Sequence, residues 1–270
     1  MLRAKKTIDL SNKFTFMGYP FRSSTPCIIR KGDGFLMLNR CNNGDFDKSV
    51  NQLMELDNDF TIKKTDILPY FFTINGPHGY EDMRLFQFQD KLYYIGVHRR
   101  WSKFTLVSDV FNGNFSMNKI RVTFGKEKLV EKNWAFYEQD GELRVVYEWF
   151  PLTLCKIDYG RKCLVLIEKR EMPSPFEGMR GSSCAAKYKD QYWFTVHSNE
   201  NKSYKHFFVV FDSKMKLVKL SAPCLFEKTR EFSYGLIVES EQAIVSYSTD
   251  NSTSKIAVYD LVDIPWLLTV

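Results

Sequence analysis

The chain has 270 residues, enough for one large β domain or two of average size, and 16% of them are aromatic, with 23 Phe and 14 Tyr. That composition suits pleated, half-buried strands better than helices. A formal charge of +6, spread along the chain without an arginine-rich block or basic tail, argues against nucleic acid as a partner while leaving a mild field that attracts anions.

The opening segment MLRAKKTIDLSNKF carries basic residues but no apolar core or small-residue cleavage site behind them, so no secretory signal is expected. No segment approaches the roughly 20 apolar residues that span a bilayer. The six cysteines, at 27, 41, 155, 163, 184 and 224, contain no CxxC pair and meet no histidine at zinc-finger spacing. They read as reduced thiols, and Cys27, Cys155 and Cys184 sit in apolar runs where a thiol behaves as a small hydrophobe. A soluble, cytoplasmic protein is the expectation.

In chain order, one pattern then recurs five times: a short apolar strand, a tight polar turn, and a second apolar strand. The copies are CIIRKGDGFLMLNR, MRLFQFQDKLYYIGVH, WAFYEQDGELRVVYEW, CAAKYKDQYWFTVH and LIVESEQAIVSYS. With Asp33, Asp90, Asp140, Asp190 and Ser240 as turn centres, the units are 57, 50, 50 and 50 residues apart. A further strand pair follows several hairpins, clearest in LCKIDYGRKCLVLIE, HFFVVFDSKMKLVKL and TSKIAVYDL. Four-stranded antiparallel units at a period near 50 are propeller blades. The spacing therefore predicts an all-β, five-bladed β-propeller occupying residues 1–270 as one domain, with blades starting near 26, 79, 131, 180 and 231 and a chain terminus completing the last. A β-sandwich also has short strands and polar turns, but it has no fixed repeat.

In such a ring, residues just before the first strand of a blade and just after its second share one mouth of the channel. They are Thr25, Pro26 and Arg40; Glu81, Asp82, Arg84 and His98; Glu131, Lys132, Asn133 and Glu148; Arg180, Ser182, Ser183 and His197; and Arg230, Glu231, Tyr247 and Asp250. A single strand-end charge usually faces solvent, whereas polar clusters repeated at one mouth point to a saccharide site.

Residues 79–97, GYEDMRLFQFQDKLYYIGV, resemble the Glu-Asp-Pro-Arg strand of glycoside hydrolase family 130. That family contains inverting β-mannoside phosphorylases and hydrolases on a five-bladed propeller, with β-mannosyltransferases among its relatives. Three further segments resemble it in the same order: EKNWAFYEQDGELRVVYEW at 131–149, RGSSCAAKYKDQYWFTVHS at 180–198 and EFSYGLIVESEQAIVSYSTD at 231–250. The resemblance implies Asp82 as general acid, flanked by Glu81 and with Arg84 holding its carboxylate. It places Lys132, Asn133, Arg180 and His197 where phosphorylases bind phosphate. Glu231 and Asp250 fall where the family holds the sugar or activates water, and Arg40, His98, Trp149 and Tyr247 complete the expected substrate contacts. The chain departs from the pattern in having Met83 for proline, Trp149 and Phe150 where phosphorylases often place an arginine, and Asp250 followed by Asn251 at the closing acidic position.

The leading expectation is inverting glycosyl transfer on a mannose-like sugar, by a glycosyltransferase or glycoside phosphorylase using a phosphate-bearing reactant such as a sugar phosphate or nucleotide-sugar. A hydrolase with Glu231 or Asp250 as base is the alternative, followed by a non-catalytic sugar- or protein-binding ring, since fold alone does not establish chemistry. No P-loop, GxGxxG, HExxH or GxSxG is present. Ser182 or Ser183 with His197 makes a weak nucleophile reading. His78 and His98 around Asp82 are read as hydrogen-bonding neighbours, with no metal and no cofactor expected.

Overall fold

The structure is a computed structural model that describes residues 2–44, 48–68, 71–73, 76–100, 103–125, 128–200, 203–228 and 230–270. Each of the five hairpins closes on a two-residue turn, pairing Lys31 with Gly34, Phe88 with Lys91, Gln139 with Glu142, Tyr188 with Gln191 and Glu239 with Gln242. The first turn residue is left-handed in every case, with φ of 55° at Gly32, 52° at Gln89, 54° at Asp140, 48° at Lys189 and 47° at Ser240. Such turns match the right-handed twist of the strands they join, which is why short polar residues mark them.

These hairpins are the inner strands of five blades. Blade 1 runs Lys13–Phe16, Tyr19–Lys31, Gly34–Asn42, Ser49–Leu56 and Ile62–Ile67. Blade 2 is shorter, with Glu81–Phe88, Lys91–Arg100 and Lys103–Val110. Blade 3 contains Ala135–Gln139, Glu142–Trp149, Leu152–Asp158 and Cys163–Arg170, extended by Arg121–Val122 in parallel. In blade 4, Arg180–Gly181 and Ala186–Tyr188 both lie beside Gln191–Glu200, followed by Ser203–Phe211 and Leu217–Ser221. Blade 5 is Glu231–Glu239, Gln242–Thr249 and Lys255–Asp260. The four-strand unit is thus trimmed to three strands in one blade and extended to six in another.

Both chain ends add outer strands. Lys6–Asp9 pairs with Lys255–Asp260 and completes blade 5, while Trp266–Thr269 pairs with Leu217–Ser221 on blade 4. The N-terminal strand therefore joins the two ends of the chain across the ring closure.

The core is divided among the seams between blades. Leu36, Leu38, Leu85 and Tyr94 fill the seam of blades 1 and 2, and Ile95, Leu106, Phe136 and Val145 that of blades 2 and 3. Val146, Leu154, Phe194 and Val209 fill the third, Trp193, Phe208, Leu236 and Val245 the fourth, and Met37, Met54, Ile237 and Ile256 the fifth. A separate apolar cluster at each of five seams closes the five-bladed propeller. At the last seam Gly235 is obligatory for packing, because a Cβ there would lie 2.4 Å from the Ile28 backbone nitrogen. All six cysteines are free and buried. No helix among the described residues is long and apolar enough to cross a membrane.

Candidate functional site at the channel mouth

The polar mouth is built on a repeated irregularity. Seven residues before the first turn residue of each blade stand Thr25, Asp82, Asn133, Ser182 and Ser233. Three of these are left-handed, with φ of 42° at Thr25, 52° at Asp82 and 67° at Asn133. Ladder registers slip there too, between Ser24 and Cys27 in blade 1 and between Ile95 and Val97, opposite Arg84 and Glu81, in blade 2. A bulge bends the strand and re-aims a side chain that regular alternation would send into the sheet.

Asp82 is half-buried, and Tyr234 donates its hydroxyl to Asp82 Oδ1 at 2.9 Å. Arg84 does not hold that carboxylate as the resemblance implied. Its Nη1 donates to the Asp82 backbone carbonyl at 2.9 Å, Nη2 donates to Gly181 O at 3.3 Å, and Nε donates to Ser182 O. Its guanidinium also stacks 4.6 Å from the centre of the Tyr234 ring. Arg84 thus reaches from blade 2 to blade 4 and fixes the backbone of the bulge, while Tyr234 from blade 5 fixes the carboxylate. Tyr234 was missed in the sequence; its signal is that among Pro26, Met83, Trp134, Ser183 and Tyr234, which hold the next position in the five blades, it alone has a long side chain with a hydroxyl tip. Burial first, then the Asp82 charge, hold its phenol well above its usual range, so it remains a donor.

Glu81 is nearly enclosed and pairs with Arg40 of blade 1, Nη2 to Oε1, at 2.9 Å. His98 packs edge-on to Phe71 and Tyr80, with ring centres 5.7 and 6.2 Å away.

Around the mouth, Lys132, Asn133, Arg180 and Gly181 line an open cleft of roughly 570 Å³. Among the described residues neither Lys132 nor Arg180 forms an ion pair, whereas Glu148 on the same rim is neutralised by Lys128. Arg180 pairs in register with His197, whose Nδ1 lies 2.8 Å from Ser182 Oγ. Burial, then the neighbouring basic groups His206, Arg84, Arg180 and Lys132, hold the His197 imidazole well below its usual 6.5, so it is neutral. Ser182 and His197 therefore do meet, but Ser182 is fully buried and cannot serve as a nucleophile.

Two expected site residues, Glu231 and Tyr247, are enclosed and do not line this cleft. Glu231 is fully buried, and its carboxylate accepts backbone N–H groups from Phe226 at 2.8 Å, Lys228 at 2.5 Å and Glu227. It braces the loop leading into blade 5 and has no open oxygen for a water or a sugar. Trp149 lines the same cleft as Lys132 and Arg180, although its ring is largely enclosed and packs edge-on to Phe194 at 5.2 Å in the seam of blades 3 and 4. Tyr247 is equally buried against Phe226, with its hydroxyl on Glu227 at 3.3 Å. Asp250 is exposed in the left-handed turn after Gln242–Thr249, 3.9 Å from Lys228.

No family model matches this sequence, and no curated protein matches it either. Solved structures do match its fold. A protein of the GH130 family of mannoside phosphorylases, described as containing glycoside hydrolases that target β-1,2 mannosidic linkages in Candida mannan, is 12% identical over 96% of this chain and 91% of its own, at a TM-score of 0.65. A β-1,2-mannobiose phosphorylase from Listeria innocua is 12% identical over 88% of this chain and 90% of its own, at 0.60. A mannose phosphorylase from Leishmania mexicana, in complex with phosphate ion, is 13% identical over 99% of this chain and 92% of its own, at 0.63. Structural neighbours of this chain include GH130 mannoside phosphorylases. At such identities the likeness establishes the propeller, and the chemistry has to be argued from the mouth.

Proposed function

We propose that this protein is a carbohydrate-active enzyme that inverts configuration at a mannose-like sugar, using a phosphate-bearing reactant and Asp82 as general acid. The observation that carries this reading is the joining, through Arg84, of a half-open carboxylate at Asp82 to a cleft holding two cations, Lys132 and Arg180, that form no ion pair among the described residues. Unpaired Lys and Arg beside a neutral histidine form a natural receptor for phosphoryl oxygens. In the degradative direction Asp82 gives its proton to the glycosidic oxygen, the bond from that oxygen to the anomeric carbon breaks, and a phosphate oxygen bonds to the carbon from the opposite face. In the synthetic direction Asp82 takes the acceptor hydroxyl proton as that oxygen displaces phosphate. The mannoside phosphorylases among the fold neighbours support the sugar class.

Hydrolysis is disfavoured because an inverting hydrolase needs a second carboxylate to activate water, roughly 6.5–9.5 Å across the sugar. Of the two candidate bases, Glu231 is sequestered and Asp250 is exposed beside Lys228. With Trp149 enclosed where phosphorylases often place an arginine, the reading leans towards a sugar carrying phosphate or nucleotide over free phosphate. It takes the chain as one catalytic domain and, with all cysteines free, as cytoplasmic.

The test offers wild type and Asp82→Asn three mixtures: manno-oligosaccharide with inorganic phosphate, mannose 1-phosphate or GDP-mannose with a manno-oligosaccharide acceptor, and manno-oligosaccharide in phosphate-free buffer. Turnover is expected only where phosphate is present, lowered about 10²- to 10⁴-fold by the substitution. Free mannose released without phosphate would establish the hydrolase instead. Sugar binding with no turnover, indifferent to Asp82→Asn, would establish a lectin.

A further inference from the structure

Among the described residues His197 has one polar contact, with Ser182, and that contact decides what its ring can offer. Ser182 Oγ lies 2.8 Å from Nδ1, held in place by the Ser182 backbone nitrogen, which donates to Thr195 O at 3.1 Å. Three placements of the protons are open to this pair. If Nδ1 carried the proton and donated to the serine, the hydroxyl proton of a fully buried side chain would need a second acceptor, and among the described residues Ser182 Oγ has none. An enclosed donor without a partner is costly. If both ring nitrogens were protonated, a cation would stand among Arg84, Arg180 and Lys132 with His206 behind it, and among the described residues no carboxylate pairs with the ring. If the hydroxyl donates to Nδ1, its proton is satisfied and only lone pairs are unused. Nε2 then carries the ring proton; it makes no bond to the protein among the described residues and is not one of its enclosed, unpartnered polar atoms.

We propose that Ser182 is a positioning residue that holds His197 as the neutral tautomer protonated at Nε2, so that the ring offers an N–H donor, and not a base, to a phosphoryl oxygen. The donor role rests on the phosphate-bearing reactant proposed above; the tautomer does not. Division of labour at the cleft follows. Lys132 and Arg180 supply charge, while His197 supplies one directional hydrogen bond that neither adds charge nor takes a proton from the phosphate. Tyr204, its ring centre 5.6 Å from that of His197, and His206, at 6.3 Å, wall the ring on the neighbouring strand.

The tautomer is read directly in histidine-¹⁵N-labelled protein by long-range ¹H–¹⁵N correlation at neutral pH, with His197 assigned by its loss in His197→Gln. Wild type is expected to show an unprotonated Nδ1 and a protonated Nε2. Ser182→Ala should raise the Nδ1-protonated population, and Ser182→Thr, which restores a hydroxyl, should reverse that change. A protonated Nδ1 in wild type, or an unchanged spectrum in Ser182→Ala, overturns the positioning role. Because the wild-type spectrum is decisive alone, a variant that fails to fold does not blunt the test. Titration with inorganic phosphate and then mannose 1-phosphate separates the two claims. The expected tautomer with no response of Nε2 to either probe overturns the donor role and the phosphate-bearing reactant together, whereas a shifting Nε2 beside a protonated Nδ1 overturns Ser182 as the positioning residue.

Discussion

His206 Nε2 and Glu231 Oε2 face each other at 3.9 Å where neither side chain reaches water. Burial pushes the Glu231 carboxyl up and holds the His206 imidazole down at about 4, against a weaker pull from the Glu231 backbone. Between pH 6.5 and about 4 the unfolded chain protonates this histidine and the folded chain does not, so stability present above 6.5 is lost as pH falls through that window. The shift corresponds to about 3 kcal/mol. His197 acts in the same sense, while Glu231, with its raised carboxyl, favours the folded state at acid pH and opposes them. Thermal melts from pH 7 down to 4.5 should show a falling Tm in wild type and a flatter profile in His206→Gln. A wild-type Tm that is level over this range would refute the assignment.

Removing the hydroxyl that reaches Asp82 tests the acid's setting without disturbing the seam. Tyr234→Phe keeps the ring under Arg84 and deletes only the 2.9 Å hydrogen bond. A hydrogen bond to a charged group is worth about 1.5–3 kcal/mol, so kcat should fall roughly tenfold or more. KM and Tm should change little, because the packing is retained. Steady-state kinetics with unchanged kcat would remove Tyr234 from the site.

Arg40 and Glu81 form an inter-blade ion pair with only 9% and 11% of their side chains exposed. Removing one partner from a buried pair leaves an uncompensated charge and costs about 3–5 kcal/mol, far more than losing an exposed pair. Arg40→Met, which strips the Glu81 carboxylate of this cation, should therefore lower Tm by several degrees, and adding Glu81→Gln should recover part of the loss. Equal stability of Arg40→Met and wild type would mean that the pair is solvated in solution.

The ring could be read from spacing because each blade must bury its two faces on its neighbours, so the apolar strands and left-handed turns recur with the fold. The placing of Asp82, Lys132, Arg180 and His197 at one mouth was readable for the same reason: they occupy strand ends whose direction the hairpins dictate. Strand ends alone do not say which way a side chain turns. Glu231 and Tyr247 stand at equivalent ends, but backbone N–H groups capture the first and an apolar seam captures the second. Tyr234 escaped notice because it reaches Asp82 from a blade 152 residues away, by a contact that no local pattern encodes.

The two unpaired cations provide the sharpest check on the reactant. Lys132 and Arg180 come from neighbouring blades and line one cleft, with no carboxylate among the described residues paired to either. If their partner is a phosphoryl group, each contributes a charge-assisted hydrogen bond of about 1.5–3 kcal/mol, and Lys132→Ala or Arg180→Ala should each raise KM for the phosphate-bearing reactant about tenfold or more. KM for the other sugar should move far less, since on the proposed reading that sugar binds beside Asp82. Arg180→Lys should recover only part of the loss, because a point charge cannot reproduce the planar fork. Higher salt should weaken phosphate binding in wild type and do so less in the double alanine variant, by screening charges that the variant lacks. A uniform rise in KM for both substrates would instead mean that these residues shape the mouth without touching phosphate.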